Sequence, residues 1–183
     1  MYFKRHLGAT LTKNKEIKMN KLLAIYILFL ITGWQCTTPP LGCQYGAPKA
    51  IFSNDQPEIK AHQFEHNGQL ATEIIVFENE MELMVYQSGC DDIKQVFQFK
   101  LKGDLNELPP VFFIKQAYEQ LNYMGKLSDD YLSFGQIGQI VEEKLSTIKL
   151  GESFTLQEHY FIKIDRILGK NEGILVIELS NTH

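Results

Sequence analysis

A short apolar segment near the N-terminus limits what this chain can fold into more than any other feature. Lys18 and Lys21 precede it, and residues 22–31 are apolar on every side of a helix. The uncharged run from Leu22 to Gln35 is 14 residues long, short of the roughly 20 that a transmembrane helix requires. A positively charged region followed by such a run is typical of a secretory signal. We therefore expect residues 19–36 to direct export, with an uncleaved membrane anchor as the alternative.

The residues before this segment are basic and have no hydrophobic periodicity. A chain that begins at Met19 would have a signal of ordinary proportions. We therefore hypothesise that residues 1–18 are an upstream extension and not part of the native product.

Cys36 lies directly after the apolar segment. Ile31-Thr32-Gly33 resembles the apolar-then-small run of a lipobox, the segment that precedes the acylated cysteine of bacterial lipoproteins. Trp34 and Gln35 depart from that pattern, and they are also too large for an ordinary signal-peptidase site. The resemblance covers only the signal. It implies lipidation at Cys36 and a membrane-tethered lipoprotein of the cell envelope, whereas cleavage near residues 37–42 would release a secreted or periplasmic soluble protein.

The other two cysteines, Cys43 and Cys90, form an even pair if Cys36 is acylated. Exported proteins mature in oxidising compartments, so the sequence predicts a Cys43–Cys90 disulfide. Residues 37–53 contain three prolines and two glycines without apolar periodicity, which predicts a tether. The remaining residues, 54–183, are expected to form a single domain.

The charge of the exported part restricts its partners. After Cys36 the chain contains 12 Lys and Arg against 21 Asp and Glu, a formal charge of −9, and Arg166 is its one arginine. Nucleic-acid binding requires clustered Lys and Arg, and membrane-surface binding requires a polybasic segment. We therefore expect no nucleic acid, membrane contact only through the lipid anchor, and a protein partner with a basic surface.

Alternating apolar residues predict four successive strands. The Asn67-Gly68 pair predicts a type I′ turn that joins strands at 59–66 and 69–78. A third strand alternates through Met81, Leu83 and Val85, and a fourth runs over 96–101.

Two helices and two further strands complete the prediction. One helix extends from Pro109 to Gly125, and the next begins at an expected N-cap, Ser128. A long fifth strand over 154–165 and a sixth over 174–179 follow. This order predicts an α+β fold, an antiparallel sheet of about six strands with a two-helix insertion packed on one face.

Motifs for catalysis or metal binding are weak. His62 and His66 have zinc-ligand spacing on a helix, but on a strand they lie about 13 Å apart, so we expect exposed histidines on a hairpin. Asp91 and Asp92 would raise the pKa of the Cys90 thiol, the opposite of what a nucleophile needs. The chain has no phosphate-binding loop or nucleophile elbow. We predict no catalytic residue, cofactor or metal site.

The spacing of Gly135 and Gly138 resembles the Gly-x-x-Gly loop of KH domains, but its flanking residues are acidic rather than basic. Close helix packing or a late helix start accounts for these glycines better.

Candidate binding residues are aromatic or titratable side chains outside the predicted core: Tyr86, His159 and Phe161. They favour a non-catalytic binding or inhibitory module. The alternatives are a structural or assembly lipoprotein of an envelope complex and a small hydrolase-type enzyme. A deep pocket with convergent polar groups would favour the enzyme.

Overall fold

The computed structural model describes residues 45–182, which fall within one compact unit. The predicted extension, the export signal, Cys36 and Cys43 lie outside these residues. Within them the chain forms seven strands, two α-helices and a 3₁₀ turn at Asp129–Tyr131. The strands are β1 (Ile59–Asn67), β2 (Leu70–Phe77), β3 (Glu82–Ser88), β4 (Lys94–Lys102), β5 (Ser153–Gln157), β6 (Tyr160–Leu168) and β7 (Glu172–Ser180); the helices are α1 (Pro110–Gly125) and α2 (Leu132–Glu143). The predicted α+β class is confirmed, with seven strands instead of six.

The strands form one antiparallel sheet in the order β1-β2-β3-β4-β7-β6-β5. Two meanders therefore meet where β7 pairs with β4, and the helices connect them. Alternate side chains point to opposite faces of a strand, and the buried ones pack against both helices. The main residues of this core on the sheet are Ile75, Phe77, Leu83, Val85, Phe97, Phe99, Ile162, Ile164, Leu175 and Ile177.

The predicted long fifth strand was wrong, because the chain reverses at Glu158 and His159 to form the β5–β6 hairpin. His159 has φ of 62°, a conformation that histidine adopts more readily than most residues. Phe154 pairs with Ile162, so both still face the core. The hairpin has neither glycine nor proline at its turn, which is why the pattern predicted a continuous strand.

The hairpin between β1 and β2 forms where it was predicted, but its turn differs. Asn67 pairs with Leu70, so Gly68 and Gln69 are the central residues. Gly68 has φ of 62°, whereas Gln69 is not in the positive-φ region. Positive φ at the first central residue alone is the pattern of a type II′ turn, not of type I′.

The helices pack closely where glycines face each other. A Cβ on Gly125 would lie 2.4 Å from the backbone nitrogen of Gly135, so the two backbones are in direct contact. This supports helix packing as the reason for the glycine at 135. Ser128 has the extended backbone of an N-cap but makes no capping hydrogen bond, and the 3₁₀ turn separates it from α2.

The segment that precedes β1 belongs to the folded domain. We define residues 45–53 as the strap. Phe52 is buried, and its ring contacts those of Phe77, Tyr131 and Phe134. Residues 45–53 of the predicted tether therefore pack on the domain, which begins before residue 54.

Among residues 45–182, no helix combines the length and apolar character needed to cross a membrane.

Candidate functional site

Both described helices cover the same side of the sheet, and we call the other side the open face. The register places Ile74 beside Met84, and Ile167 beside Ile174. Several of these side chains are exposed: Ile167 by 56%, Tyr86 by 41% and Ile74 by 38%. We define the apolar patch as the contiguous apolar side chains of this face: Ile74, Val76, Met84, Tyr86, Val96, Ile167, Ile174 and Val176.

The apolar patch contains a depression with a volume of about 450 Å³. Ile74, Met84, Ile167 and Ile174 are among the residues that line it. Lys100 of β4 also lines it, with Nζ 3.8 Å from a carboxylate oxygen of Glu82 and 3.5 Å from one of Glu172. The depression is thus mainly apolar, and its charged lining residues are paired with each other.

Charges on the open face largely neutralise each other. Besides the Lys100 group, Lys94 Nζ lies 2.8 Å from Oε1 of Glu178. Such exposed ion pairs add little to stability. Because positive and negative charges on the open face cancel, the net charge of −9 is carried mainly by the loops and the helix side of the domain.

The three candidate binding residues do not converge. Tyr86 belongs to the apolar patch, where its hydroxyl donates to Sδ of Met84 at 2.6 Å. Phe161 lies on the same face of β6 but three strands away, about 14 Å at the usual strand spacing. His159 is exposed in the β5–β6 turn, with Nε2 3.5 Å from Oε1 of Glu158.

A second concave surface lies on the helix side, and we call it the helix-side cleft. It has a volume of about 510 Å³ and is lined by residues of the strap, α2, the β5–β6 hairpin and the adjoining ends of β4 and β7. The apolar lining comes mainly from Ile137, Ile140, Leu156 and Leu179. Phe161 borders the cleft at the start of β6, although its side chain alternates with that of the core-facing Ile162. Phe161 is therefore the one candidate binding residue of the three that borders the cleft.

A buried polar group, which the sequence did not predict, holds the strap on the sheet. Glu73 is fully buried, and its carboxylate accepts hydrogen bonds from the backbone N–H groups of Ile51 at 2.9 Å and Phe52 at 2.8 Å. His62 Nε2 lies 2.7 Å from the same carboxylate, and His62 Nδ1 lies 2.6 Å from Oδ1 of Asn54. Each polar atom of this group has a structural partner.

The prediction of exposed histidines was therefore half wrong. The side chain of His62 is only 7% exposed, whereas His66 is exposed near the ring of Phe64. The parity of Glu73 with Ile75 and Phe77 was the available signal, because a carboxylate on a core-facing position must be paired. No group of three or more His, Cys, Asp or Glu within residues 45–182 is arranged to hold a metal ion.

Two tyrosines of α1 have perturbed hydroxyl groups. Burial raises the pKa of Tyr123, and the Glu58 carboxylate adds to this effect. The Glu142 carboxylate on α2 raises the pKa of Tyr118. Both hydroxyls therefore stay protonated at neutral pH, and neither is prepared to act as a base.

The open face and the helix-side cleft are the two surfaces on which a function can be built. Both are mainly apolar, and neither assembles a nucleophile with a base. No protein-family model, no curated protein and no solved structure matches this chain.

Proposed function

We propose that this protein is exported, is anchored in the cell envelope by a lipid on Cys36, and binds a protein partner through the apolar patch. The observation that carries the proposal is the face of the sheet that neither described helix covers, where apolar side chains from five adjoining strands lie near one another. Single exposed apolar residues are normal, whereas a contiguous patch rimmed by polar groups is typical of an interaction site.

Charge favours a basic partner over a second copy of this chain. Two copies would bring together domains that each carry −9, and like charges oppose association. A partner with Lys and Arg around an apolar contact would instead be attracted by the same field. Lys94 and Lys100 of the open face are already in ion pairs. We therefore assign affinity to the apolar contact and the rate of encounter to the acidic surroundings.

The geometry supports binding better than catalysis. In the depression, the charged groups of Glu82, Lys100 and Glu172 form ion pairs with each other, which leaves no unpaired charged group among them to act on a substrate. An assembly role in an envelope complex would use the same surface. It differs from reversible partner binding only in the lifetime of the complex. A hydrolase-type activity has no comparable support.

The test is a matched pair of substitutions, Ile167→Asp on the open face and Leu132→Asp on α2. The two side chains are 56% and 54% exposed, so each change removes a similarly exposed apolar side chain. Thermal unfolding of both variants confirms that they are folded. Partners cross-linked to the wild-type protein in envelope extracts are identified by mass spectrometry, and the best-enriched one is purified for affinity measurement. We expect Ile167→Asp to weaken its binding by about 30-fold, as at a binding hot spot, and Leu132→Asp to leave it unchanged.

The association rate should also fall as salt screens the acidic field. Equal affinity of both variants for the purified partner would refute the assignment to the open face. A dimer of the protein alone that dissociates on Ile167→Asp, detected by sedimentation, would assign the face to a second copy and overturn the proposed partner.

A further inference from the structure

The helix-side cleft has the size and lining of a small-molecule site. Its volume of about 510 Å³ lies within the range of about 300–1,000 Å³ for ligand pockets. Within the described part of the chain, it shares no lining residue with the depression of the open face. We infer that the cleft binds a small amphiphile, a molecule with an unbranched apolar chain and a positively charged end.

The walls of the cleft favour an apolar chain. Ile137 and Ile140 lie three residues apart on α2 and so share one face of that helix. They line the cleft together with Leu156 of β5 and Leu179 of β7. All four side chains are only partly buried by folding. A ligand whose alkyl chain fills the cleft would remove the remaining apolar surface of these side chains from water. This removal is the source of affinity in such sites.

The polar residues of the cleft select the other end of the ligand. Gln95 and Gln136 supply amide groups, and Tyr160 supplies a hydroxyl. Asp130 is the one charged residue on the lining, and among residues 45–182 neither Lys, Arg nor His contributes to it. An anionic head group would find a carboxylate and no cation there, whereas an ammonium group finds its counterion.

The carboxylate of Asp130 is available for this role. It is exposed at the 3₁₀ turn and forms no ion pair within the described residues. Asp129, its neighbour in the same turn, is also exposed but does not line the cleft. This pair of aspartates therefore offers a site residue and a control residue in nearly the same environment.

The test titrates the full chain with three ten-carbon probes below their micelle concentrations: decylammonium, 1-decanol and decanoate. Isothermal titration calorimetry should give the tightest binding for decylammonium, about fivefold tighter than 1-decanol, because an exposed charge pair changes affinity by up to about fivefold. Decanoate should bind about fivefold more weakly than 1-decanol, and so about 25-fold more weakly than decylammonium, because its like charge reverses the sign of that effect. Asp130→Asn should weaken decylammonium binding by about fivefold and leave 1-decanol unchanged. Asp129→Asn should change neither.

A second matched pair tests the location of the site. Gln136 and Gln139 are both exposed on α2, but only Gln136 lines the cleft. Gln136→Trp should fill the cleft and weaken all three probes by about tenfold or more, whereas Gln139→Trp should have no effect. Thermal unfolding of both variants confirms that they are folded.

Undiminished binding to Gln136→Trp, or equal losses in both tryptophan variants, would overturn the site. Preference for decanoate, or a decylammonium affinity that does not respond to Asp130→Asn, would overturn the positively charged head group. The inference is independent of the proposed protein partner, because Ile167 lies on the opposite face of the sheet.

Discussion

The buried carboxylate of Glu73 should determine whether the strap stays on the domain. Its two oxygens serve three donors: the backbone N–H groups of Ile51 and Phe52 and the Nε2–H of His62. A carboxylate oxygen only accepts, so it suits a site at which three donors converge. Glu73→Gln is the smallest change that disturbs this arrangement, because it keeps the shape and replaces one acceptor by a donor.

The cost follows from the number of donors left without an acceptor. Glutamine can keep one oxygen towards Phe52 and His62, but its amide group then faces the N–H of Ile51. An unsatisfied buried donor costs about 1–3 kcal/mol in the free energy of unfolding. Glu73→Leu removes the acceptor from all three donors, and we expect a loss of about 3 kcal/mol or more, at about 1–3 kcal/mol for each buried donor left unsatisfied.

Urea unfolding followed by far-UV circular dichroism measures both losses. Hydrogen exchange locates them, since the amide protons of Ile51 and Phe52 should lose protection before those of the β2–β3 pair. The control is Glu82→Gln on the open face, where the carboxylate makes only an exposed contact of 3.8 Å with Lys100. Exposed pairs contribute about 0–1 kcal/mol.

Two results would refute this reasoning about Glu73. One is a Glu73→Gln protein as stable as the Glu82→Gln control. The other is a destabilised protein in which the amide protons of Ile51 and Phe52 keep their full protection.

Three further predictions concern other parts of the chain. Gly125→Ala should lower the free energy of unfolding in urea by about 1–3 kcal/mol, because the new Cβ would meet the backbone of Gly135. Gly135→Ala should be neutral or stabilising, because the nearest atom to its Cβ is 3.8 Å away. Cys43 and Cys90 should be recovered as a disulfide-linked peptide from the exported protein under non-reducing conditions, and recovery of both as free thiols would contradict this. Cys36→Ser should release the protein from membranes or block its processing, and a processed variant that still fractionates with membranes would exclude the lipid anchor.

The backbone N–H of Tyr45 donates to the carbonyl oxygen of Cys90 at 3.1 Å, which holds the start of the strap beside β3. Cys43 lies outside the described residues, so the Cys43–Cys90 disulfide stays a prediction.

Local periodicity was enough to predict most of the elements. Strands β1 to β4, both helices and the core-facing parity of Leu83, Val85 and Ile162 follow from patterns of two or 3.6 residues, because each pattern depends only on neighbours in the chain. The β5–β6 turn was missed because local patterns indicate a turn mainly through glycine or asparagine. His159 adopts its positive φ without either residue at the turn.

What the sequence by itself determined is thus the α+β class, the antiparallel meander and the acidic charge of the exported part. Only the tertiary structure placed β7 beside β4, packed the strap against Glu73 and His62, and put both described helices on the same face of the sheet. These features join residues such as Phe52 and Tyr131 that are far apart in the chain. Such contacts form only when the whole domain closes, because their entropic cost is offset by burial in the common core and not by any local preference.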